Sequence, residues 1–319
     1  MRAVVHDRYG PPEVLHLDDV ERPIPKDDEL LVRVRASTVT QTDCHMRRAR
    51  PLLWRPYLGW LRPRSRILGF EFSGEVEAIG AAVTKFAVGD RVFGLRNGAH
   101  ADYLCVREAG FVSRMPAEIT FEEAAAICDG ANQGYVNLKG AKVGKGTRLL
   151  VYGASGSCGT AAVQFGKNYF GAHVTAVCNT PNVDLVRSLG ADEVIDYLRE
   201  DFTKKGQTYD VVLDAVGKHS FLRSRRALKR GGAYAATDRL YNFPLSLLTS
   251  RSKKKVVFTV EGHPNPEYIV LFKELIEAGK YRPVIDRVYP LEDVVEATRY
   301  VDTWRKVGSV VLTLNGGSA

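Results

Sequence analysis

The chain has 319 residues, 45% of them apolar and 26% charged, and carries a net charge of +8. That length holds about two domains, and this balance of residues excludes a disordered, collagenous or coiled-coil chain. No apolar run approaches the ~18 residues of a membrane span and no secretory signal follows Met1, so the expectation is a cytoplasmic chain without membrane insertion.

The first ~125 residues read as β-rich. Residues 30–36 alternate apolar and polar, 74–80 form a strand closed by glycines, and 89–94 and 101–106 continue the pattern. Short strands with Gly and Pro turns predict a barrel-like β unit. Between 47 and 66 stand seven arginines, interleaved with Trp54, Tyr57 and Trp60. Such a mixture suits single-stranded nucleic acid or an anionic membrane. The plainer expectation is a surface excursion with its aromatics packed inward and its arginines in solvent.

At Thr120 the texture changes. Thr120 and Glu123 form a capping box that opens a helix over 121–127. Strands are then predicted at 147–152, 173–178, 193–197, 209–214, 232–236 and 255–260, with helices at 158–169, 182–189 and 220–229. This alternation predicts a doubly wound parallel sheet. A basic run over 251–255 charges the start of the last of these strands. Helices at 266–278 and 291–305 and a strand at 309–314 close the chain. Five cysteines, at 44, 105, 128, 158 and 178, form no Cys-x-x-Cys pair. Reduced thiols are expected in place of a disulfide framework or a zinc lobe.

The strongest chemical signal is the run from Leu149 to Gln164, a buried strand, a small-residue turn and a helix, with glycines at 153, 156 and 159. Gly153 makes the turn, Gly156 lets backbone N–H groups approach a pyrophosphate, and Gly159 lets the helix press on the strand. Ser155, Ser157 and Cys158 complete a helix N-terminus that offers free donors to an anion. The second strand ends in Cys178-Asn179-Thr180, with no carboxylate before Asp184. An acid there would hold the ribose of NAD and repel a 2′-phosphate, so its absence points to NADPH. Val216 and Thr237, at the ends of later strands, are placed to line the nicotinamide.

The opening Met1-Arg2-Ala3-Val4-Val5, the runs 69–76 (GFEFSGEV) and 88–94 (VGDRVFG), the glycine turn, 189–197 (LGADEVIDY) and the closing 308–312 together resemble the medium-chain dehydrogenase/reductase superfamily, in its zinc-free quinone oxidoreductase-like branch. The resemblance covers nearly the whole chain in the expected order. It implies an α/β fold: a GroES-like β-rich catalytic domain from 1–124 and 263–319, and a Rossmann NADPH-binding domain over 125–262. Zinc enzymes of the superfamily carry Cys three residues before an Asp and His in a Gly-His-Glu motif. Thr40 and Phe70 stand at those positions, so no metal is expected. The Asn and Tyr of related quinone reductases correspond to Thr40 and His45. Thr40 is then placed to hydrogen-bond a substrate oxygen and His45 to donate a proton; alternatively both line the pocket and water supplies the proton. The resemblance also implies that Tyr197 contacts the 2′-phosphate, that Asn182 stands near a phosphate-binding lysine position, and that Asn132 replaces a threonine beside the nicotinamide ribose.

The resulting expectation is a zinc-independent NADPH reductase of quinones or α,β-unsaturated carbonyls. The protein would take a small-molecule substrate and pair as a homodimer through the apolar strand 256–260. The alternative is a non-catalytic NADPH-binding regulator or an RNA-binding protein of the same fold, supported by the +8 charge and the arginine-rich segment.

Overall fold

In the computed structural model, which describes every residue except 238–240, 260–263 and 315–319, the alternating N-terminal segments pair as antiparallel strands. β1 (Arg2–Val5) pairs β2 (His16–Asp19). β3 (Glu29–Val39) is buried over almost its whole length and runs directly into α1 (Gln41–Arg48) and then α2 (Arg55–Leu58). β4 (Glu71–Ile79), β5 (Arg91–Leu95), β6 (Tyr103–Arg107) and β7 (Val112–Arg114) follow. α3 (Phe121–Ala125) starts at the expected capping box, with the Thr120 hydroxyl accepting from Glu123 N–H and the Glu123 carboxylate accepting from Thr120 N–H.

From α4 (Cys128–Gly140) onward the chain alternates. β8 (Arg148–Tyr152) leads to α5 (Ser157–Gln164), β9 (His173–Cys178) to α6 (Val183–Ser188), and β10 (Glu193–Asp196) to β11 (Tyr209–Asp214). α7 (Phe221–Ser224), β12 (Leu228–Ala236), α8 (Asn242–Thr249) and β13 (Lys255–Val257) complete the series. The six strands are parallel, in the order β10-β9-β8-β11-β12-β13. Winding reverses between β8 and β11, and open parallel sheets take ligands at such a switch point, outside the carboxyl ends of the strands.

α9 (Pro266–Glu277), β14 (Ile285–Pro290), α10 (Val294–Asp302) and β15 (Ser309–Thr313) close the chain. β15 returns to pair antiparallel with β3, giving a seven-stranded sheet ordered β14-β15-β3-β4-β5-β7 with β6 also on β3. By contacts the chain forms two units, one of residues 1–129, 265–274 and 283–319, the other of 130–264 and 275–282. The first has its core between β3, β4, β5, β6 and α10, around Val32, Phe72, Val92, Leu104 and Val301. The second has a core around Leu150, Val177, Tyr209, Val212 and Tyr234. The β-rich unit and the doubly wound unit of the expected α/β fold are both present.

Several expected elements differ in extent. The helix expected over 220–229 stops early, because Leu228 is buried and pairs with Tyr209 as the start of β12. The strand expected over 255–260 ends at Val257, and Val260 lies outside the described residues. The helix expected over 158–169 is α5 followed by a π-turn over Phe165–Tyr169.

α1 has a polar sequence and no apolar stripe. It is held by its cap and by Arg47, which is fully buried and donates to Gly10 O at 2.9 Å and to Asp302 Oδ2 at 2.7 Å. Arg48 pairs with the same carboxylate. Gln41 Nε2 donates to Val301 O at 2.7 Å, so α1 is pinned to α10. Removing one partner of a buried ion pair strands the other charge, at about 3–5 kcal/mol. Asp302→Ala should therefore lower the free energy of unfolding by about 3 kcal/mol in a denaturant titration; a loss under about 1 kcal/mol, the value of a surface pair, would show that Arg47 does not depend on it.

Candidate functional site

The glycine turn lies in the second unit, at the carboxyl end of β8. Gly153 has φ +77°, a conformation that L side chains rarely adopt, and a Cβ there would meet Val216 Cγ1 at 2.6 Å. A Cβ on Gly159 would stand 2.1 Å from Gly153 O, so only glycine lets α5 approach the turn this closely. Gly156, the N-cap of α5, is different. Its φ is −78°, and an added Cβ would find its nearest neighbours at 3.7 and 3.8 Å. Nothing in the protein requires glycine at this position, and the space over it is a cradle that a side chain would fill. Ser157 and Cys158 follow in the first turn of α5, behind Ser155.

The parallel sheet brings the other expected cofactor residues to the same edge. Asn179, Thr180 and Asn182 follow β9, Tyr197 follows β10, Val216 follows β11 and Thr237 follows β12. Val216 is fixed through Asp214, a buried carboxylate that accepts from the N–H groups of Val216, Lys218 and His219 at 3.2, 3.3 and 2.8 Å and from Tyr234 OH at 3.0 Å. The Thr237 hydroxyl donates to Asp214 O at 3.2 Å. Asn132, on α4, is buried, and its Oδ1 has no hydrogen-bond partner among the described residues. An orphan acceptor of this kind fits a hydroxyl donor from a bound group.

Around the end of β9 the structure adds two residues that the linear reading passes over. The Thr180 hydroxyl donates to Asp196 Oδ2, and Arg199 Nε stands 3.4 Å from the same oxygen. The Thr180 hydrogen bond, first among its partners, holds the Asp196 carboxyl below the usual carboxylate range. A carboxylate therefore does reach the end of β9, but from the neighbouring strand. Sixteen residues of chain separate it from Thr180, which conceals it from a search just beyond the glycines.

In the first unit Thr40 is the N-cap of α1. Its N–H and hydroxyl donate to Asp43 Oδ2 at 2.8 and 2.7 Å, and its oxygen accepts from Asp43 N–H at 3.1 Å. Asp43 Oδ1 accepts from Gly69 N–H at 3.0 Å. The hydroxyl proton expected to face a substrate oxygen is thus engaged with Asp43. His45 sits one turn further along α1, with its ring 6.2 Å from that of Trp304. Phe70 follows Gly69 and carries no donor atom.

Beside Phe70 the chain buries Glu71. Burial pushes its carboxyl up to about 8, and the nearby Asp129 adds to the shift. The Thr38 hydroxyl and Asp129 N–H donate to it and oppose the shift, as does the Lys306 charge. Burial pushes the Lys306 ammonium down, against the attraction of Glu71 and Asp129. Among the described residues no three His, Cys, Asp or Glu side chains gather as a metal-binding set. Among the described residues the five cysteines form no disulfide, and burial pushes the Cys178 thiol up to about 11.

The segment over 47–66 departs from expectation. Arg47 is buried rather than solvated, while Trp54, Tyr57 and Trp60 are exposed rather than packed inward.

Residues 26–145 match the profile of the alcohol dehydrogenase GroES-like domain, and residues 189–312 that of a zinc-binding dehydrogenase domain. A chloroplastic quinone-oxidoreductase homolog of Spinacia oleracea is 30% identical over 98% of this chain and 98% of its own length. A 2-methylene-furan-3-one reductase of Solanum lycopersicum is 29% identical over 98% of this chain and 79% of its own. The solved quinone oxidoreductase of Coxiella burnetii superposes with a TM-score of 0.89 over 99% of both chains, at 24% identity, and shares the fold. The two matched domains flank the glycine cradle, and the full-length similarity runs through it. The chain belongs to the medium-chain dehydrogenase/reductase superfamily, in its quinone oxidoreductase-like branch, and is an oxidoreductase.

Proposed function

We propose that the chain is an NADPH-dependent, zinc-independent reductase that delivers hydride to quinones or α,β-unsaturated carbonyls. The observation that carries this reading is the cradle over Gly156 at the start of α5, where an anion would meet the positive end of the helix. The similarity to a furanone reductase and a quinone-oxidoreductase homolog supports the substrate class. When bound, the nicotinamide supplies the hydride. Ser155, Gly156, Ser157 and Cys158 would hold the diphosphate, Asn132 would accept from a ribose hydroxyl, and Val216 and Thr237 would orient the ring. Asn179, Thr180, Asn182 and Tyr197 would surround the 2′-phosphate. Arg199 would supply the cation there and offset Asp196.

Zinc does not fit the positions where relatives with metal place their ligands. Phe70 has no donor atom, and the Thr40 hydroxyl is engaged with Asp43. We assign Thr40 as a positioning residue that fixes α1, and His45 as the candidate proton donor to the reduced substrate. β13 is an edge strand, and the adjacent α8 exposes Phe243, Leu247 and Leu248. An apolar edge of this kind is a liability unless covered, and we propose that a second copy of the chain covers it.

Three outcomes follow. Gly156→Ala should fold with unchanged stability, since its Cβ would stand at ordinary van der Waals distance from its neighbours, yet bind NADPH at least about tenfold more weakly. Gly159→Ala should lose about 2 kcal/mol or more of stability through overpacking. In the same titrations the parent should bind NADPH more tightly than NADH, and Arg199→Ala should erase most of the difference. Equal dissociation constants in the parent would refute the cofactor choice.

His45→Ala should lower kcat by roughly 10- to 100-fold with cofactor binding intact. An unchanged kcat with a raised KM would leave His45 as a lining residue. Thr40→Val should cost about 1–2 kcal/mol of stability by removing the cap, whereas Thr40→Ser should retain it. In light scattering at micromolar concentration the protein should have the mass of a dimer, and Leu248→Glu should shift it toward the monomer. A monomeric parent would end the dimer assignment.

A further inference from the structure

The segment from Arg50 to Arg66 is a projection of the first unit with an unusual surface. It exposes Leu52 (65%), Tyr57 (80%), Trp60 (68%) and Leu61 (82%), together with nearly half of Trp54. No Asp or Glu occurs anywhere from 47 to 66. Arg47 and Arg48 are taken by Asp302, and Arg66 by Asp7 and Asp18. Arg50, Arg55, Arg62 and Arg64 form no ion pair among the described residues.

The projection is held in shape. Tyr9 OH donates to Gly59 O at 2.8 Å, Arg64 N–H to Leu58 O at 2.8 Å, and Gly59 N–H to Arg55 O at 2.8 Å. The Arg55 guanidinium lies 5.2 Å over the Tyr9 ring and donates to Trp60 O at 3.3 Å. The exposed aromatics therefore stand on an ordered loop and a short helix, α2. A segment that exposes this many large apolar side chains beside uncompensated charge of one sign is a candidate interaction site.

We propose that this segment docks on the surface of an anionic lipid bilayer. The charge pattern demands an anionic partner, and the apolar composition selects among anionic partners. A single-stranded nucleic acid would stack on Trp54, Tyr57 and Trp60 but offers no apolar environment for Leu52 and Leu61. The boundary of a bilayer accepts both kinds of side chain. Tryptophan and tyrosine settle at headgroup depth, leucine reaches the acyl region, and each arginine near the surface is attracted by the negative leaflet. The attachment is peripheral, because among the described residues no helix is long and apolar enough to cross a membrane. The inference stands independently of the cofactor and substrate proposed above.

The test uses the full chain and vesicles of phosphatidylcholine, with and without about 30% phosphatidylserine. Two of the three tryptophans lie in the segment, so intrinsic fluorescence reports directly on it. The protein should sediment with the anionic vesicles, its emission should shift to the blue, and brominated acyl chains should quench it. Binding should weaken at least about tenfold on phosphatidylcholine alone or in high salt. Trp54→Ser, Trp60→Ser and Leu61→Ser combined should lower it at least about tenfold with the melting temperature unchanged. Arg62→Gln with Arg64→Gln should reduce both the binding and its salt dependence. Quenching in the unaltered protein is read without any variant, so a misfolded variant leaves the test intact. Failure to sediment with anionic vesicles, absence of quenching, or full binding by the folded triple variant would overturn the proposal. So would salt-sensitive binding of a single-stranded oligonucleotide through this segment without vesicle binding.

Discussion

The doubly wound unit depends on one close approach, the contact of α5 with the turn that precedes it. Gly159 faces Gly153 O at a distance that leaves no room for a Cβ, and Gly153 takes a left-handed conformation that places Val216 against it. These two constraints aim the first turn of α5, the positive end of the helix, across the carboxyl edge of the sheet. Gly156 stands between them with no steric reason to be glycine. The contrast separates two architectural glycines from a third with no steric demand of its own. Asp214 extends the same logic to the next strand, since its four donors fix the loop that carries Val216.

In the first unit a carboxylate plays the corresponding role. Asp43 ties the corner between β3 and α1 to the backbone of Gly69, and so sets where α1 begins and where His45 stands. Arg47 secures the far end of the helix through Asp302. Glu71 and Lys306 form a second buried polar group, satisfied by the Thr38 hydroxyl, Asp129 N–H and Gly308 O. Burying ionisable groups is costly unless each is paired or hydrogen-bonded, and here backbone donors and acceptors do most of the pairing. Thr40 and the backbone of Gly69 are thus part of one hydrogen-bonded scaffold centred on Asp43.

Much of this was legible in the sequence because period and spacing survive folding. Strands 173–178 and 209–214 stand where the apolar runs place them, the Thr120 box caps its helix, and the three glycines occupy the turn that their spacing implies. What was not legible came from contacts distant along the chain. α1 has no apolar periodicity, and its stability comes from Asp302, which lies 255 residues away. Asp196 meets Thr180 only because β10 pairs with β9 in register. The direction of Trp54, Tyr57 and Trp60 could not be read where prolines and arginines interrupt every period, and the inward packing expected of them is the opposite of what the fold adopts. Leu228 looks helical in its local sequence, but pairing with Tyr209 overrides the local preference.

We propose that a chain with this cradle and without metal-ligand side chains at positions 40 and 70 reduces quinones or activated double bonds with a nicotinamide cofactor. The most direct measurement is NADPH oxidation by the purified protein, treated with a chelator, in the presence of a panel of quinones and α,β-unsaturated ketones and aldehydes, with the products identified. Turnover should be steady, survive the chelator and yield hydroquinones or saturated carbonyls. No NADPH consumption with any member of the panel, or turnover that appears only when zinc is supplied, would contradict the proposal.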